Sequence, residues 1–208
     1  MKNIFVKLTF ICLFAAPVSS MAIVELRASY GGLGSNQSLK DLCTNCTNSS
    51  NAPTIVPTTG FGADLIVKIP LVPVGIGARY EGMGLNLNSN GYEAELKFTR
   101  TALLLNYRLI DTIVHFGPIV SYGLSHTGNL LLKENGITRI DFTASKMTSY
   151  TAGLELTVKP LVVLPLIVGA EAGYMGFKWD ETTNSIDSSK KNVDLSGYYM
   201  KVFLGLDI

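Results

Sequence analysis

Three groups of residues have types and spacings that point to chemistry. The first is a set of twelve charges: Glu25, Arg27, Asp64, Lys68, Arg79, Glu81, Arg100, Arg108, Glu155, Glu171, Lys201 and Asp207. Six are acidic and six basic, and all lie in segments that alternate apolar and polar residues. Within those segments every one falls on the same parity, opposite the apolar residues. Equal numbers of both signs inside a narrow space should pair, because an unpaired buried ion is costly. The simplest outcome is a salt-bridged plug. An ion pathway or a catalytic cluster are the sharper alternatives, but an ion-selective pore usually displays one sign.

The second group is Cys43-Thr44-Asn45-Cys46. A C-x-x-C can be a redox pair, half a zinc site or a disulfide. No other cysteine beyond Cys12 and no nearby histidine completes a zinc site, and a thioredoxin-like context is absent. In an exported, oxidising loop a structural disulfide fits best. No metal or cofactor is expected. The third group is the two histidines. His115 shares the parity of the charges. His126 follows Ser125 on the apolar parity, where a lipid-side His–Ser–acid cluster would need it. No Gly-x-Ser-x-Gly motif accompanies it, and the chain is not expected to be an enzyme.

The elements that position these groups read as strands. Eight segments alternate with period two. Their apolar parities are Val24, Leu26, Ala28, Tyr30; Phe61, Ala63, Leu65, Val67, Ile69; Val74, Ile76, Ala78, Tyr80; Thr101, Leu103, Leu105, Tyr107, Leu109; Val114, Phe116, Val120, Tyr122, Leu124; Thr148, Tyr150, Ala152, Leu154, Leu156, Val158; Leu166, Val168, Ala170, Ala172, Tyr174; and Tyr198, Met200, Val202, Leu204, Leu206, Ile208. Pro118 lacks an N–H for the ladder, which predicts a bulge or local strain there. Glu93, Glu95 and Lys97 break the parity just before the fourth segment. Short turns are predicted near residues 70–73, 110–112 and 159–161. Longer loops are predicted at 33–60, 82–95, 126–146 and 176–196, the third extending as a hairpin about Glu134-Asn135-Gly136.

Residues 1–22 read as a cleaved secretory signal. Lys2 and Lys7 surround a basic start, residues 8–16 are apolar, and Ser20-Met21-Ala22 fits a small-x-small cleavage site. The apolar run is well short of the roughly 20 residues of a spanning helix. Residues 23–208 then form one domain. Without Lys2 and Lys7, 15 basic residues face 16 acidic ones, a net charge of −1 that offers nothing to nucleic acid.

Alternation alone does not say whether the apolar face meets lipid or a core. Three features favour lipid. The charged parity also carries Gly75, Gly77, Gly117, Gly123, Gly153, Gly169, Gly173 and Gly205, which suit the crowded interior of a small barrel. Aromatic residues sit near the ends of the apolar face, as in interfacial girdles. The last segment runs to Ile208 without a tail. A charge facing lipid at the bilayer midplane costs about 2–4 kcal/mol, enough to clear one face of them.

With its signal, its eight hairpin-spaced strands and its terminal strand 198–208, the chain resembles the small outer-membrane β-barrel proteins, the group around the OmpA transmembrane domain, OmpX and OmpW. The resemblance implies an all-β fold, an eight-stranded antiparallel up-and-down transmembrane barrel in the Gram-negative outer membrane. It also implies recognition of the terminal strand by the barrel-assembly machinery. That strand departs from the family pattern by ending in Ile208 rather than an aromatic residue. The expected role is a non-enzymatic, monomeric surface or structural protein with a closed lumen. Its surroundings would be outer-membrane lipid and lipopolysaccharide, and its loops could meet an external partner. Lys190-Lys191 is most simply a solvated loop that could touch lipopolysaccharide phosphates. An OmpW-like passage for small hydrophobic molecules is the alternative, kept open by Ile66, Met83, Leu104, Ile119, Met147 and Met175 on the charged parity. A lipid A-modifying enzyme using His126 comes third.

Asn45-Cys46-Thr47 and Asn48-Ser49-Ser50 match N-x-[ST] but read as turn formers in a bacterial loop. If Cys43 and Cys46 form a disulfide, a membrane-impermeant maleimide should label intact cells only after reduction. Labelling without reductant would exclude the bridge.

Overall fold

The computed structural model describes residues 23–35, 37, 42, 58–89, 91–143, 146–160, 165–186, 188 and 190–208. The predicted signal at 1–22, the Cys43/Cys46 pair and the two N-x-[ST] motifs lie outside these residues. Eleven strands occur among the described residues: β1 (Val24–Ser35), β2 (Thr58–Lys68), β3 (Val74–Ser89), β4 (Tyr92–Tyr107), β5 (Ile110–Asp111), β6 (Val114–Glu134), β7 (Ile137–Thr143), β8 (Lys146–Val158), β9 (Leu166–Asn184), β10 (Lys190–Asp194) and β11 (Gly197–Asp207).

All pairings are antiparallel. They run β1–β2–β3–β4–β6–β8–β9–β11 and return to β1, so the strands close into a ring. Each alternating segment of the sequence maps onto one ring strand, with Ile69, Leu109 and Ile208 just beyond the strand ends. β5 pairs with β6, β7 joins β6 to β9, and β10 lies along β9. In β11 buried and exposed residues alternate without exception, as the sequence pattern requires of a strand with two unlike faces.

Three predicted loops are largely strand. β3 and β4 continue to the pair Ser89↔Tyr92, β6 runs to Glu134 and pairs with β7, and β9 runs to Asn184. The Asn135-Gly136 turn between β6 and β7 has φ of 50° and 79°, the backbone this dipeptide favours in a hairpin. These extensions escape a search for apolar-outward alternation because their faces are reversed. Along β4, Glu93, Glu95 and Lys97 point outward while Tyr92, Ala94, Leu96 and Phe98 are buried. From Arg100 onward the ions and polar groups turn inward, and Leu103, Leu105 and Tyr107 are exposed. One strand thus carries two opposite polarities with a switch at residues 99–101. In β9 the outward side changes from Val168 and Tyr174 to Lys178.

The interior accordingly has two parts. The hairpin end holds an apolar core of seventeen buried residues, with Phe98, Phe142, Phe177 and Trp179 among the largest. The turn end is largely ionic, with a small apolar cluster of Ile66, Leu104 and Ile119 and with Ile167 and Phe203 also buried. Met83 and Met175 belong to the apolar core, and Met147 packs against it.

Two irregularities interrupt the side of β6 that faces β4 and β5. Beside Pro118, the ladder to β4 stops at Asn106↔Ile119 and resumes as Ile110↔Phe116, so three residues face two. The residue without an N–H falls in that gap, while its other side, Pro118↔Leu154, stays in register. A second shift lies between Thr101↔Ser125 and Ala102↔Gly123, which makes Leu124 the extra residue. Gly117 permits the first irregularity, since a Cβ there would stand 1.8 Å from the Tyr107 carbonyl oxygen. Gly117→Val should therefore destabilise the fold by about 1–3 kcal/mol in urea unfolding followed by Trp179 fluorescence. An unchanged midpoint would show that the strands can separate there without loss.

Candidate functional site

Neighbouring strands bring the twelve charges together by register, and the closed ring then joins them across its width. Arg27 lies opposite Asp64 on β1 and β2, Asp64 opposite Arg79 on β2 and β3, and Glu81 opposite Arg100 on β3 and β4. Glu171 lies opposite Lys201 on β9 and β11. Two register pairs are of like sign, Glu25↔Asp207 and Glu155↔Glu171. Like charges directly opposite destabilise a sheet, so cations from other strands must intervene.

They do so in two sets. In the set nearer the hairpins, Arg79 forms two-pronged contacts with two carboxylates. Its Nε and Nη2 donate to Asp64 at 2.8 Å each, and its Nη1 and Nη2 donate to Glu171 at 2.9 and 2.7 Å. The Tyr199 hydroxyl also donates to Glu171 at 2.6 Å. Lys201 Nζ donates to Glu81 at 2.7 Å and stands 3.4 Å from Glu171. Arg100 bonds Glu81 and reaches Ser121 and Ser149 at 3.2 and 3.3 Å.

In the set nearer the turns, Arg27 donates to Glu25 at 2.6 Å and to Glu155 at 2.8 Å, with its guanidinium 4.4 Å from the centre of the Phe203 ring. Arg108 bonds the other oxygen of Glu25. Asp207 is held between Lys68 and Lys159, the latter at 2.7 Å. Lys159 was not among the twelve sequence candidates, because it falls in a turn beyond the alternating segment. Several of these contacts join strands that are not neighbours: β3 to β9, β1 to β8 and β11 to β3, and Arg108, the residue after β4, reaches β1. Such a lattice has the capacity to tie the walls together and to block the space between them.

The histidines are placed differently from the sequence expectation in one case. Leu124 is an extra residue, so Leu124 and Ser125 are both exposed and His126 turns inward. Its Nε2 lies 2.8 Å from Ser149 Oγ, and its ring stacks on Phe177 with centroids 5.9 Å apart. The lipid-facing position predicted for His126 is therefore corrected: one bulge reverses the parity of everything after it. His115 is buried inside the ring. Lys191, read from sequence as a solvated loop residue, donates to the Leu42 carbonyl at 2.8 Å, and Leu42 is buried in the apolar core. That core was the main feature missed. Glu93, Glu95 and Lys97 on the "wrong" parity were its sequence sign.

No helix among the described residues is long and apolar enough to cross a membrane, which says nothing about strands. A recess of about 700 Å³ lies on the outward apolar face over Ala28, Ala63 and Ala78.

No protein-family model matches the chain, and no curated protein matches it. Solved structures do. A major outer membrane protein from Thermus thermophilus is 8% identical with a TM-score of 0.50, covering 88% of this chain and 98% of that one. The Neisserial surface protein A (NspA) is 11% identical with a TM-score of 0.47, over 89% and 97%. Ail, the attachment invasion locus protein of Yersinia pestis, solved with the heparin analogue sucrose octasulfate, is 9% identical with a TM-score of 0.45, over 88% and 94%. The Thermus likeness is one of fold: an all-β, antiparallel, up-and-down architecture of the kind found in outer-membrane β-barrel proteins.

Removing one member of the ionic lattice leaves its partners buried and unpaired. Glu171→Gln should cost about 3–5 kcal/mol of unfolding free energy. Lys97→Gln, at a side chain 71% exposed and paired with Glu95 on the outer face, should cost no more than about 1 kcal/mol. Equal effects in denaturant titrations would show that the lattice is not a structural tie.

Proposed function

We propose that the eight ring strands form a monomeric transmembrane β-barrel of the Gram-negative outer membrane, with a salt-bridged, closed lumen and a non-enzymatic surface or structural role. The observation that carries this is the reversal of polarity along single strands. A sheet wholly in water has no reason to expose Leu103, Leu105, Tyr107 and Leu109 while burying Arg100 and Arg108. The apolar outward stretch of β4 and its following residues, 101–109, matches the roughly 9–11 residues of a membrane strand. Tyr30, Phe61, Tyr80, Tyr122, Tyr150, Tyr174 and Tyr198 are exposed near the polarity switch, where a girdle meets lipid headgroups. Lipid and lipopolysaccharide are then the surroundings. The barrel-assembly machinery acts on the strands during insertion, and the extended hairpins stand outside the bilayer as a surface for an external partner.

The same observations weigh against the other two readings. A passage for small hydrophobic molecules needs an open apolar mouth, whereas Phe98, Phe142, Phe177 and Trp179 are packed to near-complete burial. A lipid A-modifying enzyme built on His126 needs that ring to face lipid, and it faces Ser149 inside.

Refolded protein should require detergent or lipid for solubility and should migrate differently on gels before and after boiling. In planar bilayers it should show little steady conductance. Water-soluble folded protein would overturn the membrane reading, and large stable channels would overturn the closed lumen.

A further inference from the structure

Toward the hairpins, Arg79, Arg100 and Lys201 meet Asp64, Glu81 and Glu171. Toward the turns, two lysines, Lys68 and Lys159, share a single carboxylate, Asp207.

A cavity of about 390 Å³ opens at that same end. Lys68, Arg108 and Lys159 line it, and among the described residues no carboxylate does. The three cations come from three separate places: the end of β2, the residue after β4 and the residue after β8. Each is already held by a carboxylate on one side, Asp207 for the lysines and Glu25 for Arg108. An ammonium has three N–H donors, so a bond to Asp207 leaves each lysine able to bind a further acceptor. The β2–β3 turn also lines it, with apolar Ile69, Leu71 and Val72. Leu71 is 96% exposed and sits at φ 66°, a backbone that non-glycine residues rarely adopt. That turn is framed by backbone bonds: Ile69 N–H to Val74, Val72 N–H to Ile69, and Arg108 N–H to Pro73. These bonds fix the turn whose apolar tip shares the cavity lining with the cations.

We propose that this mouth binds the phosphodiester headgroup of a glycerophospholipid from the membrane leaflet on the turn side. Its single negative charge complements the two lysines that share Asp207, and its oxygens accept from Lys68 and Lys159. Its acyl chains lie against Leu71, Val72 and the apolar outer wall. A free phosphate would meet the cations but leave that wall bare. The source of the ligand rests on the membrane reading above.

The test uses the full chain refolded in a non-ionic detergent, with binding followed by native mass spectrometry and calorimetry. Dihexanoyl-phosphatidylglycerol should bind saturably, one per protein. Inorganic phosphate should bind about tenfold more weakly, and dihexanoylglycerol, which lacks the phosphate, should not saturate. Lys159→Gln should weaken lipid binding about tenfold, Lys159→Arg should retain it, and Lys97→Gln at the hairpin end should leave it unchanged. Absence of saturable lipid binding, or binding indifferent to Lys159→Gln, overturns the site. Phosphate binding as tightly as the lipid overturns the lipid assignment. Boiling-dependent gel migration of the same samples separates the two claims: a shifted, folded protein that ignores the lipid sinks the site alone, and a protein that folds without detergent sinks both.

Discussion

Eleven residue pairs join β1 to β11, from Glu25↔Asp207 to Ser35↔Gly197, and this ladder turns a sheet with two edges into a ring. An open edge leaves a row of N–H and C=O groups without partners. Closure supplies those partners and also creates an inside, where side chains of non-neighbouring strands can meet. The seam needs small residues. A Cβ on Gly197 would stand 1.8 Å from the Gly34 carbonyl oxygen, and one on Gly31 would stand 2.4 Å from the Lys201 Cβ. Without this ladder Lys201 has no means of reaching Glu81 on β3, and Arg27 none of reaching Glu155 on β8.

Closure also explains why the ions are arranged as they are. Register alone places Glu155 against Glu171 and Glu25 against Asp207, and both pairs are unfavourable by themselves. Arg27 and Arg79 take the first two acids apart, and Arg108, Lys68 and Lys159 surround the second two. A buried pair is weak grounds for net stability, because desolvation offsets much of the attraction. Its firmer consequence is specificity: each acid has cations that only one strand order brings to it. Above the polarity switch the ordinary rule returns, with apolar side chains inside and charges outside. The two halves of the ring are thus held by different forces, ion pairing toward the turns and apolar packing toward the hairpins.

Much of this was legible from the residues. The eight alternating segments located the ring strands, and the parity of the twelve charges identified the inward face. Asn135-Gly136 announced its hairpin. What failed did so for identifiable reasons. Residues 83–87 and 92–98 also alternate, but with the apolar side inward, so a search for apolar-outward strands took 82–95 for loop. His126 was assigned by counting from Tyr122, and a single extra residue at Leu124 reversed the count. Lys159 was overlooked because it sits in a turn, where no periodicity marks a side chain as facing in.

By itself the sequence determined the strands, their two faces and the inward direction of the charges, because period-two alternation is a local property that each segment carries alone. It also implied that the acids and bases would pair, since their numbers match. Which acid meets which base, that Lys68 and Lys159 share Asp207, and that His126 turns inward were decided only by the tertiary structure. Those outcomes depend on strand register, on one bulge and on the closure between β1 and β11. Several are relations between residues far apart in the chain, 128 positions for Arg27 and Glu155 and 120 for Lys201 and Glu81, and no local pattern encodes them.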